Sequence, residues 1–265
     1  MRSAITSEYR KFFTTRTWGV LVAVMAAGFF VGTFLISWLF AGQTSGSGPG
    51  GVDTARPYLF GIGASMGYIF PVIVGALAVT AEYRYSTIVP TFLGEPRRWV
   101  AMVAKVVAAV PMGFLIGVVG TVACIAGTGL GFIVGGGAAG IFTLDTLTLA
   151  GLSVLTHTVW ALVGVGLGML VTSQVGVIIA VLAFTQLVEP VLRVGMSVFS
   201  ATQGIPKFLP GAAADALAGG HSVYAALSTG VTDQLTIWQG GLVLAAYGVA
   251  FGVLGYFLRI RRNVA

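Results

Sequence analysis

The sequence predicts an all-α integral membrane protein with six transmembrane helices. Hydrophobic residues make up 57% of the chain and charged residues only 8%, against about a quarter charged in soluble domains. The mean hydropathy is +0.96, and a water-exposed fold of that composition would carry large adhesive patches. The apolar residues also fall into six runs, at about 18–41, 58–81, 99–126, 147–171, 174–192 and 236–258. Each is near the roughly 20 residues that cross a bilayer.

The 39 glycines are roughly twice the usual share of about 7%. Membrane helices accommodate them because small residues let backbones approach one another. Pairs four apart recur at Gly28/Gly32, Gly63/Gly67, Gly113/Gly117, Gly164/Gly168 and Gly248/Gly252, a spacing that lines one helix face and reads as packing. The net charge of +6 raises nucleic acid as a partner. The basic residues sit beside the spans, however, so anionic lipid and topology account for them and no nucleic acid is expected.

In chain order, residues 1–17 form a charged preface. Ile5, Tyr9, Phe12 and Phe13 share one helical face, with Arg10 and Lys11 on the other, the pattern of a helix lying in the membrane interface. The run after Arg16 is too long for a signal-peptide core of about 7–15 residues and reads as a retained first span. Residues 42–51 are a Gly/Ser-rich connector, 127–146 a second glycine-rich loop, and 171–174 a tight third one. The stretch 193–235 has mixed polarity, with Pro206 and Pro210 and short apolar pieces at Val194–Phe199 and Ala212–Leu217. These pieces are too short to span and read as small interfacial helices or a re-entrant hairpin.

Lys and Arg set the orientation. With both termini inside, the inner segments hold Arg2, Arg10, Lys11, Arg16, Arg84, Arg97, Arg98, Lys105, Arg259, Arg261 and Arg262; the outer ones hold Arg56, Arg193 and Lys207. The 82–98 loop is therefore expected in the cytoplasm and 193–235 outside. Pro96 favours a helical first turn, which starts the third span there. Trp99 then sits at headgroup level and Lys105 snorkels back to the surface. Glu82 to Val89 reads as a short helix that Pro90 stops or redirects. Topology accounts for Arg97, Arg98 and Trp99, but not for Glu82, Glu95, Tyr83 and Tyr85, and that surplus points to a docking role. Glu-Tyr-Arg occurs at both Glu8–Arg10 and Glu82–Arg84.

The sequence lacks Gly-x-x-x-x-Gly-Lys-Ser/Thr, so no nucleotide binding of that kind is expected in this chain. Gly127, Gly129 and Gly131 follow no strand, which argues against a dinucleotide site. Cys124 is the one cysteine, which excludes an intrachain disulfide and a cysteine metal cluster. His157 and His221 lie on opposite sides of a span, and no metal site is expected. No catalytic set gathers at one face. Polar residues within spans are functional candidates by default, here His157, beside Trp160, and Gln186; each either bonds a neighbouring helix or lines a pathway. Glu189 and Arg193 are four apart and can pair. With Pro190 between them they suit a structural pair or a gate.

The ordered set Glu82-Tyr83-Arg84-x-x-Thr87, Gly94-Glu95-Pro96-Arg97-Arg98 and Lys105 resembles the signature of bacterial ABC-2 type permeases, the membrane subunits of ABC exporters. Ser7-Glu8-Tyr9-Arg10-Lys11 with Thr15-Arg16 is similar to their N-terminal interfacial helix. Glu189-Pro190 with Phe208-Leu209-Pro210-Gly211 is similar to their outer segment between spans five and six. The likeness implies one transmembrane domain over 1–265 with a cytoplasmic coupling helix within 82–98 and a lid at 193–235. It implies ATPase-coupling residues Glu82, Tyr83, Arg84, Thr87, Glu95, Arg97 and Arg98, braced by Glu8, Tyr9, Arg10 and Lys11. The implied partners are two copies of a separate ABC ATPase subunit, carrying ATP and Mg, and a second permease subunit in a homo- or heterodimer. This chain itself would bind no cofactor and would not be an enzyme.

The expected activity is export of an apolar or amphipathic substrate (a drug, antibiotic or lipid-like molecule) across a bacterial cytoplasmic membrane. Few ionisable residues lie within the spans, so a charge-binding site there would be hard to build. His157, Trp160, Gln186, Glu189 and Arg193 are the candidate pathway or gate. The alternatives are an ion- or proton-coupled transporter, which needs a mid-membrane relay and has His157 for one, and a polytopic lipid-modifying enzyme.

Overall fold

The structure, a computed structural model, describes residues 2–44, 50–94, 97–136, 143–197, 202, 204–220 and 234–260. Among these the protein is all-α, with no strand. A short helix α1 (Arg2–Thr14) precedes α2 (Arg16–Thr44), α3 (Gly50–Gly67), α4 (Ile69–Arg84), the short α5 (Ile88–Gly94), α6 (Arg98–Val134) and α7 (Leu144–Leu170). Then come α8 (Gln174–Ala183), a π turn over Phe184–Val188, α9 (Glu189–Ser197), a 3₁₀ turn at Pro206–Phe208, α10 (Pro210–Leu217) and α11 (Ile237–Gly255). Among the described residues six stretches are long and apolar enough to cross a membrane: Arg16–Ala41, Pro57–Arg84, Arg98–Val134, Leu144–Leu170, Gln174–Met196 and Ile237–Arg259. They coincide with the six predicted runs.

The boundaries differ from the sequence reading where packing overrides composition. The third span, α6, runs on to Val134, so Gly127, Gly129 and Gly131 are helical rather than part of a loop. Gly127 and Gly131, four apart, face α2: a Cβ on Gly131 would come within 2.7 Å of the Ser37 Cβ, so glycine here permits helix contact. The expected break at Pro90 is also absent. Pro90 is the third residue of α5, a first-turn position where the missing N–H costs nothing. Ser86, at φ 55°, makes the turn between α4 and α5 instead. Val194 to Ser197 belong to α9 and continue the fifth span rather than forming a separate piece.

Span two is built from α3 and α4, joined at Tyr68. Pro71 has no N–H to give to Gly67, which sets the junction, and it falls in the first turn of α4. The core lies around α7, which packs on α4, α6 and α11. Its close approaches run over glycines, as the small-residue pairs predict: a Cβ on Gly164 would lie 2.8 Å from the Val72 Cα, and one on Gly168 2.8 Å from the Ala76 carbonyl oxygen. Gly28 and Gly32 are the exception, with open space around both. They face away from the bundle, so helical spacing alone does not identify a packed pair.

Gly164→Val should therefore destabilise the purified chain by at least the about 1–3 kcal/mol typical of overpacking, read as a lowered melting temperature in detergent. Gly28→Ala, with nothing to meet, should leave the melt unchanged.

Candidate functional site

At the end of the bundle that carries α5, four charged side chains from three helices meet. Glu8 of α1 is buried because it faces inward, one position from the Tyr9 that packs on the core beside Met25 and Ala108. Glu82 is in the last turn of α4, and Lys105 lies two turns into α6. Lys105 falls on the buried stripe of Ala101, Ala108 and Met112 and is 0% exposed. It does not snorkel. Its Nζ is 3.0 Å from Glu8 Oε2 and 2.8 Å from Glu82 Oε1, and donates to the Ala78 carbonyl at 2.8 Å.

Lys11, one turn after Glu8, bridges the same two carboxylates from the rim, 2.9 Å from Glu8 Oε1 and 2.6 Å from Glu82 Oε1. Burial pulls the Lys11 ammonium down; hydrogen bonds to Glu82 and Glu8 outweigh it and hold the group above lysine's ordinary value. A raised lysine stabilises the fold below its unfolded value and stops doing so only as pH rises past the folded one. The Lys11 contacts therefore persist through neutral pH. Thr91 of α5 donates to Glu82 Oε1 at 3.2 Å, so the short helix is tied to the same carboxylate.

Over this cluster α5 presents an exposed face. Leu93 is 78% exposed and Tyr85, just before the helix, 70%; Thr87, Arg84 and Arg97 are exposed as well. Arg84 reaches Gln174 at 3.5 Å, and the Arg98 guanidinium lies over the Phe92 ring at 5.5 Å. Tyr83 packs inward beside Phe92 and Leu162. Glu95 lies outside the described residues, as do His221, Arg261 and Arg262. On α1, Arg10 is exposed, and Phe13, expected on the apolar face, is 54% exposed and packs edge-on against Trp18 at 5.4 Å.

The proposed pathway residues divide. Trp160, Gln186, Glu189 and Arg193 line one narrow cleft beneath α10, together with Tyr68, Thr185 and Asp215. His157 does not line it; it is buried, with Nδ1 donating to the Ser153 carbonyl at 2.7 Å and Nε2 facing Gly67. Gln186 sits in the π turn and donates to the Tyr68 hydroxyl at 2.8 Å. That hydroxyl in turn bonds Thr185, whose own proton goes to the Val181 carbonyl. Glu189, 1% exposed, pairs with Arg193 as its spacing implies, through Nε at 3.0 Å and Nη2 at 2.5 Å. It also accepts the Gly211 and Ala212 N–H groups at 2.9 and 2.7 Å, capping α10. Arg193 reaches Asp215 of α10 at 3.0 Å.

Sequence reasoning missed Lys105 as a buried partner, and Tyr68, Thr185 and Asp215. The stripe 101–105–108–112 held the signal for Lys105; nothing local marks the other three. Cys124 is buried, its sulfur toward Gly63, as a packing residue. No group of three metal-binding side chains occurs among the described residues. No protein-family model matches the sequence, and no curated protein matches it.

Removing one member of a buried charge set strands the others. Lys105→Met should cost about 3–5 kcal/mol in a detergent unfolding titration. Lys11→Met, at a half-exposed site, should cost no more than about 1 kcal/mol.

Proposed function

We propose that this chain is the permease subunit of an ATP-driven ABC exporter in a bacterial cytoplasmic membrane, with both termini and α5 on the cytoplasmic side. The substrate is apolar or amphipathic, of the drug, antibiotic or lipid-like class. A separate ATPase subunit, in two copies, hydrolyses ATP with Mg, and a second permease subunit completes the assembly.

The observation that carries this reading is the exposed apolar face of α5 standing over a buried ionic cluster. An exposed Leu93 and Tyr85 in a water-facing loop call for a protein partner. The cluster beneath explains how force on α5 would travel: Thr91 holds Glu82, and Glu82 is joined through Lys105 and Lys11 to α1 and α6. A push on α5 would thus reach three helices as one body, through a contiguous hydrogen-bonded network. Arg84, Thr87, Arg97 and Arg98 would ring the contact. Glu82, Tyr83, Glu8 and Tyr9 would act from below, by positioning it.

His157, buried with an Nε2 that has no partner, is what favours the proton-coupled alternative. Loss of transport in His157→Ala with none in α5 variants would select that reading.

The test is reconstitution with a soluble P-loop ATPase, sought first in the neighbouring reading frame and by co-purification with this chain. Leu93→Asp and Arg97→Glu should each cut transport-stimulated ATP hydrolysis about tenfold or more and weaken co-purification, with melting unchanged because both side chains are exposed. Full turnover in both variants would remove the proposal.

A further inference from the structure

The corner where α1 meets α2 leaves a groove of about 470 Å³ on the surface, within the range of about 300–1,000 Å³ typical of small-molecule sites. Phe13 and Trp18 wall it, Gly19, Val20 and Ala23 of α2 form its floor, and Arg16 lies at its polar end. Thr15 is the single residue between the two helices, and Arg16 opens the apolar stretch Arg16–Ala41. The groove therefore starts at a cation and runs onto the flank of a candidate membrane span.

The charges around this corner are unequal. Lys11 and Lys105 are matched by Glu8 and Glu82. Arg16 is exposed and makes no ion pair among the described residues, and no carboxylate lines the groove. The Thr14 and Thr15 hydroxyls already donate to α1 carbonyls, those of Arg10 and Lys11, at 2.6 Å each. That leaves the guanidinium, whose planar fork matches two oxygens of a phosphate. Trp18 stacks on Phe12 at 5.1 Å and meets Phe13 edge-on at 5.4 Å. The rings pack on one another and make a wall, not a cage for a quaternary ammonium. Along the floor, a Cβ on Gly19 would meet nothing within 4 Å, and Ala23, one turn on, is exposed. Val20 and Val24 stand beside them, 62% and 59% exposed. Small residues next to a valine ridge leave a shallow trough along α2 that an alkyl chain can follow.

We propose that this groove seats one anionic phospholipid, its phosphate diester on the Arg16 guanidinium and an acyl chain along Gly19 and Ala23. A free phosphate would gain nothing from the apolar floor, and a hydrocarbon nothing from Arg16; a phospholipid meets both. A net negative headgroup is favoured over a zwitterionic one because the groove offers no carboxylate to a headgroup cation. The proposal rests on Arg16–Ala41 crossing the bilayer and not on the exporter reading, so it is measurable on this chain without any ATPase.

The experiment is native mass spectrometry of the purified full chain in detergent, titrated with phosphatidylglycerol and, with the same acyl chains, phosphatidylcholine. The expected result is one saturable phosphatidylglycerol adduct per chain, bound about fivefold or more tighter than phosphatidylcholine. Arg16→Gln should weaken that adduct about tenfold or more. Arg10→Gln removes an exposed cation that does not line the groove and should leave the adduct unchanged. Gly19→Leu fills the floor without meeting the bundle and should weaken binding about tenfold with Arg16 still in place. Equal affinity for the two lipids, or equal losses in the Arg10 and Arg16 variants, would make the attraction diffuse and overturn the site. Displacement of the lipid by glycerophosphoglycerol, the same headgroup without chains, would overturn it too. So would a lipid-free dimer that Gly19→Leu dissociates, which assigns the groove to a second copy of the chain.

Discussion

The architecture at the α5 end depends on holding the Lys105 ammonium away from water. An isolated ammonium in a low-dielectric interior is prohibitively costly, and pairing with one carboxylate often only offsets desolvation. Here two carboxylates and a backbone carbonyl surround it, Glu8 and Glu82 at 3.0 and 2.8 Å and Ala78 at 2.8 Å. That requirement fixes where α1 lies, because Glu8 has to arrive from outside the bundle. It fixes the end of α4 as well, because Glu82 has to point inward while Arg84, two residues on, is exposed. The same constraint gives α5 a firm base, through Thr91.

A second ionic group ties the other end. Glu189 caps α10 and binds Arg193, and Arg193 binds Asp215. Between the two clusters α4 and α7 meet through apolar side chains and glycine, with Gly164 and Gly168 of α7 against Val72 and Ala76 of α4. Polar ties at the ends and smooth contacts between them suit a bundle whose helices tilt as units. If the proposed exporter function holds, the α5-end cluster would receive force from the ATPase and the Glu189 clasp would hold the opposite end of the bundle.

The π turn at Phe184–Val188 links these themes. An extra residue in a helical turn re-aims the side chains around it. It carries Gln186 and Thr185 to Tyr68, and Glu189 follows immediately, pointed at the start of α10. The irregular backbone thus lies at the one place in span five where polar side chains converge on a cleft.

By itself the sequence determined that the chain is helical, where the six stretches long and apolar enough to cross a membrane fall, and that Glu189 can pair with Arg193. Those properties depend on composition, run length and four-residue spacing, all of which are local. Only the tertiary structure decided that Lys105 is buried rather than snorkelling, that Glu8 and Glu82 share it, that Gly127 to Gly131 continue a helix, and that Trp160 and Gln186 share a cleft while His157 does not. Each of these depends on contacts between residues tens of positions apart. A lysine near a helix end reads the same whether lipid headgroups or two carboxylates await it, and a glycine run reads as loop or as packing surface until its neighbour is in place.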